Sequence, residues 1–199
     1  MEGMRVIQAD PRPGRKRLMD PSVDYAGFWR RSGAIFLDAL WMTALVLPIW
    51  AVQVHGGRTT NIIARVPFTY IPIVANVWCL ARWGRTPGKW ATGIRVRRID
   101  LGTISWREAL RRESVTLIFA TVELAIGLAA LSVTADSDFD AMGWRQRLVL
   151  PKDCFPVLAR YTGWMSQAWL WSELLVLMLN KKRRALHDYI AGTVVVVEK

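Results

Sequence analysis

The stretch that decides the fold is Gly33 to Val54, which reads GAIFLDALWMTALVLPIWAVQV and holds one charged side chain, Asp38. A helix needs about 20 predominantly apolar residues to cross the roughly 30 Å hydrocarbon core of a bilayer, and residues 33–54 meet that requirement. Working outward along the chain, three more apolar stretches occupy residues 66–82, 114–135 and 160–180. The first of these is short, so Arg65 and Arg82 at its ends would have to snorkel to the lipid head groups.

The distribution of charge excludes a soluble nucleic-acid-binding protein. Of the 199 residues, 52% are hydrophobic, yet 27 Lys and Arg residues outnumber 16 Asp and Glu residues and give a net charge of +11. On a soluble basic fold the positive residues are interleaved with core positions, whereas here they lie between long apolar blocks. The sequence therefore predicts an all-α membrane protein with four transmembrane helices and no nucleic-acid partner.

The positive charges also predict an orientation in the membrane. Twenty-one of the 27 Lys and Arg residues precede the first span, lie in the segment from Arg82 to Arg112, or follow the fourth span. Cytoplasmic segments carry such an excess, so both termini and the central loop, residues 83–113, are expected in the cytoplasm, facing anionic lipid. Residues 1–24 are expected to form a flexible basic cytoplasmic tail. The loop that contains Asp136, Asp138, Asp140 and Asp153 is expected outside.

The central loop is the most structured connection. Residues 94–99 have partial strand character, residues 100–102 suit a turn, and Thr103-Ile104 can return as a second strand, which predicts a small cytoplasmic β-hairpin. Ser105 and Glu108 fit a capping box, so a short amphipathic helix is expected at the inner surface before the third span. The upstream GRTPGK, residues 84–89, has too few residues between its glycines for a phosphate-binding loop, and Trp90 follows the lysine.

Three acidic residues fall inside the predicted spans: Asp38, Glu123 and Glu173. An unpaired charge near the middle of a bilayer costs about 2.5–3.5 kcal/mol on insertion scales, so each acid needs an explanation. Arg31 precedes Asp38 by seven residues, which places both on one face of the first helix. Such carboxylates either line a wet cavity and exchange cations and protons, or pair with Arg or Lys and fix helix packing. The residues alone leave both interpretations open, and His187 in the basic C-terminal end is expected to bridge the interface without chemistry.

Three motifs in order suggest a family. They are YAGFWRR at residues 25–31 leading to Asp38, GRTPGK at 84–89 followed by GIRV at 93–96, and RALHD at 184–188 with GTVV at 192–195. Over residues 25–197 the chain resembles the RDD family of bacterial membrane proteins, which is named for one arginine and two aspartates. The resemblance assigns these roles to Arg31, Asp38 and Asp188, with Arg30 as a competitor for the first. The loop motif contributes Gly84, Thr86, Pro87, Gly88 and Lys89, whereas Glu123 and Glu173 match no family pattern.

The resemblance implies a multi-pass protein of the bacterial inner membrane with a role in transport, such as sodium/proton exchange. Asp38 would then be the cation or proton carboxylate, Arg31 would modulate its protonation, and Asp188 would cap the cytoplasmic entry. Four spans leave little room for alternating access and show no inverted repeat, so a transporter would have to be a homo-oligomer.

The competing function is that of a non-catalytic accessory or assembly subunit of a larger membrane complex. In that case Arg31, Asp38 and Asp188 would form a structural network, and Val194 to Val197 would add a strand to the hairpin. The sequence offers no nucleophile, metal-ligand or nucleotide constellation, so we expect neither an enzyme nor a cofactor. Acids that converge on one water-accessible cavity would favour transport, and dispersed or neutralised acids would favour the structural role.

Overall fold

The computed structural model describes residues 23–180 and 183–198, so the predicted basic tail lies almost entirely outside the described residues, as do Lys181 and Lys182. The elements in chain order are α1 (Phe28–His55), α2 (Arg58–Trp83), α3 (Pro87–Ala91), β1 (Ile94–Arg98), α4 (Trp106–Val133), α5 (Asp136–Ala141), α6 (Trp144–Cys154), α7 (Pro156–Leu179), α8 (Leu186–Ala191) and β2 (Thr193–Val197).

Three helices of this described part, α1, α2 and α4, are long and apolar enough to cross a membrane. The predicted fourth span also forms a helix, the 24-residue α7, but it is not among these three. Polar side chains such as Gln167 and Glu173 interrupt its apolar sequence. The second span does not need snorkelling arginines to supply length, because α2 begins at Arg58 and its 26 residues extend about 39 Å with Pro67 and Pro72 inside.

Helix α4 is the centre of the bundle: α2 packs along it, and α6, α7 and α8 pack against it. At one end of the bundle, a buried apolar cluster joins the long helices to the sheet. Its members are Ala26, Ala34, Ile73, Val77, Leu80, Ile94, Val96, Ile104, Ala109 and Val195. The outward faces of the long helices carry large exposed apolar side chains such as Ile35, Ile118 and Leu175. Exposed apolar faces of this extent are typical of helices that contact lipid.

The sheet differs from the predicted hairpin. Strand β1 pairs antiparallel with the C-terminal strand β2, in a register that joins Ile94 to Val197 and Arg98 to Thr193. Thr103 and Ile104 do not form a strand, because the chain turns at Leu101 and then enters the cap of α4. The expected contribution of Val194 to Val197 is confirmed, but as the partner of β1 and not as a third strand.

The segment before α1 is attached to the same sheet. Tyr25 forms a β-bridge with Val196, the backbone N–H of Ala26 donates to Val195 at 2.9 Å, and that of Val197 donates to Asp24 at 2.8 Å. The start of the first long helix is therefore fixed to the last strand of the chain.

The capping box is confirmed, but the separate amphipathic helix is wrong. The Ser105 hydroxyl accepts from the Arg107 N–H at 3.2 Å, and the Ser105 N–H donates to the Glu108 carboxylate at 2.8 Å. Helix α4 then runs without a break from Trp106 to Val133. No proline interrupts this stretch, so the predicted surface helix is simply the first turns of the membrane-crossing one.

The opposite end of the bundle is closed by the predicted outer loop, which folds into α5 and α6. Arg147 of α6 donates to the carbonyls of Val54 and Gly56 at 3.1 and 2.9 Å, and it lies over the ring of the fully buried Phe139. The Asn61 amide donates to three carbonyls of the α1–α2 turn. Because these contacts satisfy carbonyls that the helix termini leave free, the turn between α1 and α2 is closed by side chains.

Candidate functional site

The first aspartate of the motif, Asp38, holds the loop that connects α2 to β1. One of its oxygens accepts from the Thr86 hydroxyl at 2.5 Å and from the Lys89 ammonium at 3.2 Å. The other oxygen accepts from the backbone N–H of Gly88 at 2.7 Å. Both carboxylate oxygens are thus bonded, and the charge of Asp38 is balanced by that of Lys89.

Local sequence explains why this loop fits against α1. Gly84 ends α2 with φ of 69°, a left-handed conformation that glycine adopts without strain. Pro87 occupies the first turn of α3, where the missing N–H costs nothing. Gly88 lies so close to α1 that a Cβ added to it would stand 2.3 Å from the Ala34 carbonyl oxygen. The glycine therefore allows the backbone N–H to reach Asp38.

Lys89 is held between two acceptors. Its ammonium donates to the Thr86 hydroxyl at 3.0 Å as well as to Asp38. Burial lowers the pKa of Lys89, and the charge of Asp38 opposes that effect. The Asp38–Lys89 pair carries no net charge, and each of the two ionised groups is stabilised by the other.

The second aspartate, Asp188, lies in a separate cluster and is completely buried. Arg31 of α1 donates to its Oδ2 at 2.7 Å, and Arg112 of α4 contacts its Oδ1. The Thr193 hydroxyl and the Ala185 N–H also donate to it, at 3.2 and 3.1 Å. One carboxylate therefore joins α1, α4, α8 and β2.

The charge state of Asp188 follows from these partners. Burial alone would raise the pKa of Asp188, but the positive charge of Arg112, and then the charge and hydrogen bond of Arg31, hold that pKa well below the usual range. The carboxylate consequently stays ionised at every pH near neutrality. Asp188 cannot release and take up protons under those conditions.

Glu173 of α7 is linked to the same cluster through His187. The imidazole Nδ1 lies 2.6 Å from the Glu173 carboxylate, and Nε2 lies 2.6 Å from Arg112. Arg112 can only donate, so Nε2 must accept and Nδ1 must carry the proton that it donates to Glu173. His187 therefore bridges Glu173 and Arg112. With a neutral imidazole, the charges of Arg31 and Arg112 face those of Asp188 and Glu173. The buried Arg184 donates to the backbone carbonyls of Thr193 and Asp188 in the same cluster, at 3.0 and 2.9 Å.

The three acids that the sequence places inside the predicted spans do not converge. Asp38 pairs with Lys89, Glu173 pairs with His187, and Glu123 lies exposed on α4, where the Ser166 hydroxyl of α7 donates to it at 3.3 Å. Arg31 and Asp38 share one face of α1, but Arg31 pairs with Asp188 and not with Asp38. In the described residues no three His, Cys, Asp or Glu side chains gather as they would around a metal ion.

Sequence reasoning missed the partners that neutralise the aspartates. The charge pattern places Arg112 only among the positive residues of the basic loop, although it follows the buried Ala109 by three residues and so lies on the inward face of α4. The loop motif includes Lys89 but predicts no contact for it. Arg31 is 6% exposed and makes the buried pair, whereas the adjacent Arg30 is exposed.

Gly88→Ala is expected to separate the loop from α1. The added Cβ meets backbone atoms of Ala34 and Asp38, which cannot move aside as a flexible side chain could. We expect loss of the folded, monodisperse protein in detergent, measured by fluorescence-detected size-exclusion chromatography after heating. Gly163→Ala is the control, because nothing lies within 4 Å of its added Cβ and alanine favours a helix. Equal thermal stability of the two variants would contradict the close-approach argument.

Asp188→Asn is expected to destabilise the protein by about 3–5 kcal/mol, because it leaves two buried arginines without a full counter-charge. The measurement is the thermal or denaturant unfolding of the purified protein. Asp100→Asn is the matched control, since Asp100 is exposed and pairs with Arg98 at the surface, where such pairs contribute about 0–1 kcal/mol. Adding Arg112→Gln to Asp188→Asn should recover part of the loss; a further additive loss would show that the two residues do not interact.

One of the comparisons with known proteins identifies a family for this chain. A family model described as the RDD family matches residues 25–192, which is most of the chain and includes Arg31, Asp38 and Asp188. No curated protein and no solved structure matches the chain significantly. The resemblance seen in the three sequence motifs is therefore confirmed, and the chain belongs to the RDD family.

Proposed function

We propose that this RDD family protein is a non-catalytic multi-pass membrane protein that holds a basic platform against the membrane and serves as an accessory or assembly subunit of a larger complex. The platform consists of residues 84–105 and 184–198, which include α3, β1, α8 and β2. The observation that carries the proposal is that both aspartates of the motif are neutralised and fully hydrogen-bonded. A carboxylate in that state fixes packing and is not free to bind a cation.

The residues of the motif connect the platform to the long helices through ion pairs and hydrogen bonds. Asp38 of α1 binds the α2–β1 loop, and Asp188 of α8 binds Arg31 of α1 and Arg112 of α4. Breaking either cluster leaves a buried charge uncompensated. Any arrangement in which the platform has detached from the long helices is therefore higher in free energy. These contacts support a rigid surface on which another protein can dock.

We further propose that the protein lies in the bacterial inner membrane with four spans, with α7 as the fourth, and with the platform in the cytoplasm. The excess of Lys and Arg on the platform side and the exposed apolar side chains along α7, such as Leu170, Leu175 and Met178, support this arrangement. The basic platform would then face anionic head groups.

Glu123 supports an assembly of more than one chain. It is exposed on a helix that is apolar enough to cross the membrane, and its described polar contact is the Ser166 hydroxyl at 3.3 Å. A carboxylate facing lipid is expensive, so a second copy or a partner subunit that covers it is energetically favoured.

The orientation predicts which side of the membrane Cys154 faces. Cys154 ends α6 and is partly exposed, whereas Cys79 is buried in α2. In the Cys79→Ser background, a membrane-impermeant maleimide added to intact spheroplasts is expected to label Cys154. In a background with both Cys79→Ser and Cys154→Ser, Asp100→Cys should be labelled only in inverted vesicles, since Asp100 is exposed. The reverse pattern would overturn the orientation.

Cation/proton exchange at the Asp38–Lys89 pair is the second candidate function. Burial lowers the pKa of Lys89, which favours loss of its proton, and a neutral Lys89 would leave the charge of Asp38 available to a cation. Competition between a proton on Lys89 and a cation on Asp38 is the chemistry that exchange requires. The saturation of Asp38 by Thr86 and Gly88 opposes this alternative.

Proteoliposomes separate the two functions. If the protein is an accessory subunit, the pure protein should dissipate an imposed pH gradient no faster with sodium than with choline, and Asp38→Asn should behave identically. In mild detergent the wild type and Asp100→Asn should co-purify the same second polypeptide in fixed stoichiometry. Sodium-dependent dissipation that Asp38→Asn abolishes and Asp100→Asn preserves would establish exchange instead.

A further inference from the structure

A cavity of about 780 Å³ lies between the platform and the adjoining ends of α1 and α2. Its walls are mostly apolar and include four tryptophans: Trp41 of α1, Trp78 and Trp83 of α2, and Trp90 of α3. These rings remain partly exposed, up to 68% for Trp90, so the protein itself does not fill the space between them. The volume lies within the range of about 300–1,000 Å³ that is usual for small-molecule sites.

Four arginines also line this cavity: Arg82, Arg85, Arg95 and Arg97. The Glu198 carboxylate pairs with three of these arginines, and it lies 2.7 Å from Arg85, 2.7 Å from Arg95 and 3.7 Å from Arg97. Arg82 is exposed and makes no ion pair with any described residue, and Nε of Arg95 is buried without a hydrogen-bond partner among them. One negative charge thus faces four positive ones, and the cavity retains a surplus of guanidinium donors.

The arginines and the tryptophans of the lining suit the two parts of one class of molecule, which has a phosphate group and an acyl chain. Arginine presents a rigid fork of donors that matches a phosphate group. Tryptophan rings favour the boundary between lipid tails and head groups, where they contact acyl carbon atoms. A free phosphate would use the arginines and leave the apolar wall in contact with water. A neutral lipid would leave the surplus positive charge unmatched.

We propose that this cavity binds one anionic phospholipid, with its phosphate on the arginines and part of an acyl chain along the tryptophans. The site goes beyond the proposed accessory function because it is a defined lipid site and not a general attraction of the platform to the membrane. If the protein has the proposed orientation, the bound lipid belongs to the cytoplasmic leaflet. The binding of the lipid does not depend on that orientation. The maleimide experiment tests that orientation independently.

Native mass spectrometry of the detergent-solubilised full chain, titrated with phosphatidylglycerol, tests the proposal. The wild type should bind one phosphatidylglycerol in preference to phosphatidylcholine. Arg82→Gln combined with Arg97→Gln should weaken that binding by about tenfold or more, because two of the guanidinium groups available to the phosphate are lost. Arg107→Gln combined with Arg111→Gln is the matched control. Both of these residues are exposed, neither lines the cavity, and the net charge changes equally.

Each alternative gives a different result. Equal weakening by the two double variants, or equal binding of phosphatidylcholine, would overturn the proposal in favour of general surface electrostatics. Water-soluble glycerol phosphate that competes as well as phosphatidylglycerol would overturn the lipid assignment in favour of a phosphate site. Trp41→Leu should weaken phosphatidylglycerol binding without changing thermal stability by more than a few degrees. If the double variant does not fold, Arg82→Gln alone repeats the test at an exposed side chain.

Discussion

A buried carboxylate, that of Asp188, holds together the end of the bundle that carries the sheet. It accepts from arginines on two different long helices, and the same residue lies in the short helix that leads into β2. Such a buried ionic cluster contributes little net stability compared with apolar side chains of the same volume, but breaking it costs several kcal/mol. The cluster therefore determines which arrangement of the chain is stable. Arrangements in which α1, α4 and the C-terminal segment fail to meet are strongly disfavoured.

The second cluster works in the same way on a different segment. Asp38 lies about two turns further along α1 than Arg31 and binds Thr86, Gly88 and Lys89. The residues that give the family its name therefore belong to two separate clusters and not to one site. This separation explains why the motif is spread over the whole chain. Each cluster fixes one part of the platform, and the cavity lined by tryptophan and arginine lies where α1, α2 and the loop held by Asp38 meet.

Features that depend on local physics could be predicted from the sequence. Apolar stretches became helices, the Ser105–Glu108 capping box formed, and the helical register distinguished Arg31 from Arg30. Features that depend on distant partners could not. A turn signal at residues 100–102 cannot reveal that β1 prefers the valines of β2 to the adjacent Thr103-Ile104. In the same way, no local pattern shows which of the eight Lys and Arg residues in the loop 83–113 neutralises Asp38.

The ion pair between Arg31 and Asp188 also constrains the order in which parts of the protein can pack during synthesis. Their positions are 157 residues apart, and chains are synthesised at roughly 5–20 residues per second, so Arg31 emerges on the order of 8–30 s before its counter-charge exists. During that interval the first helix carries an unneutralised arginine next to the membrane. The final packing of α1 therefore waits until α8, which carries Asp188, has been synthesised.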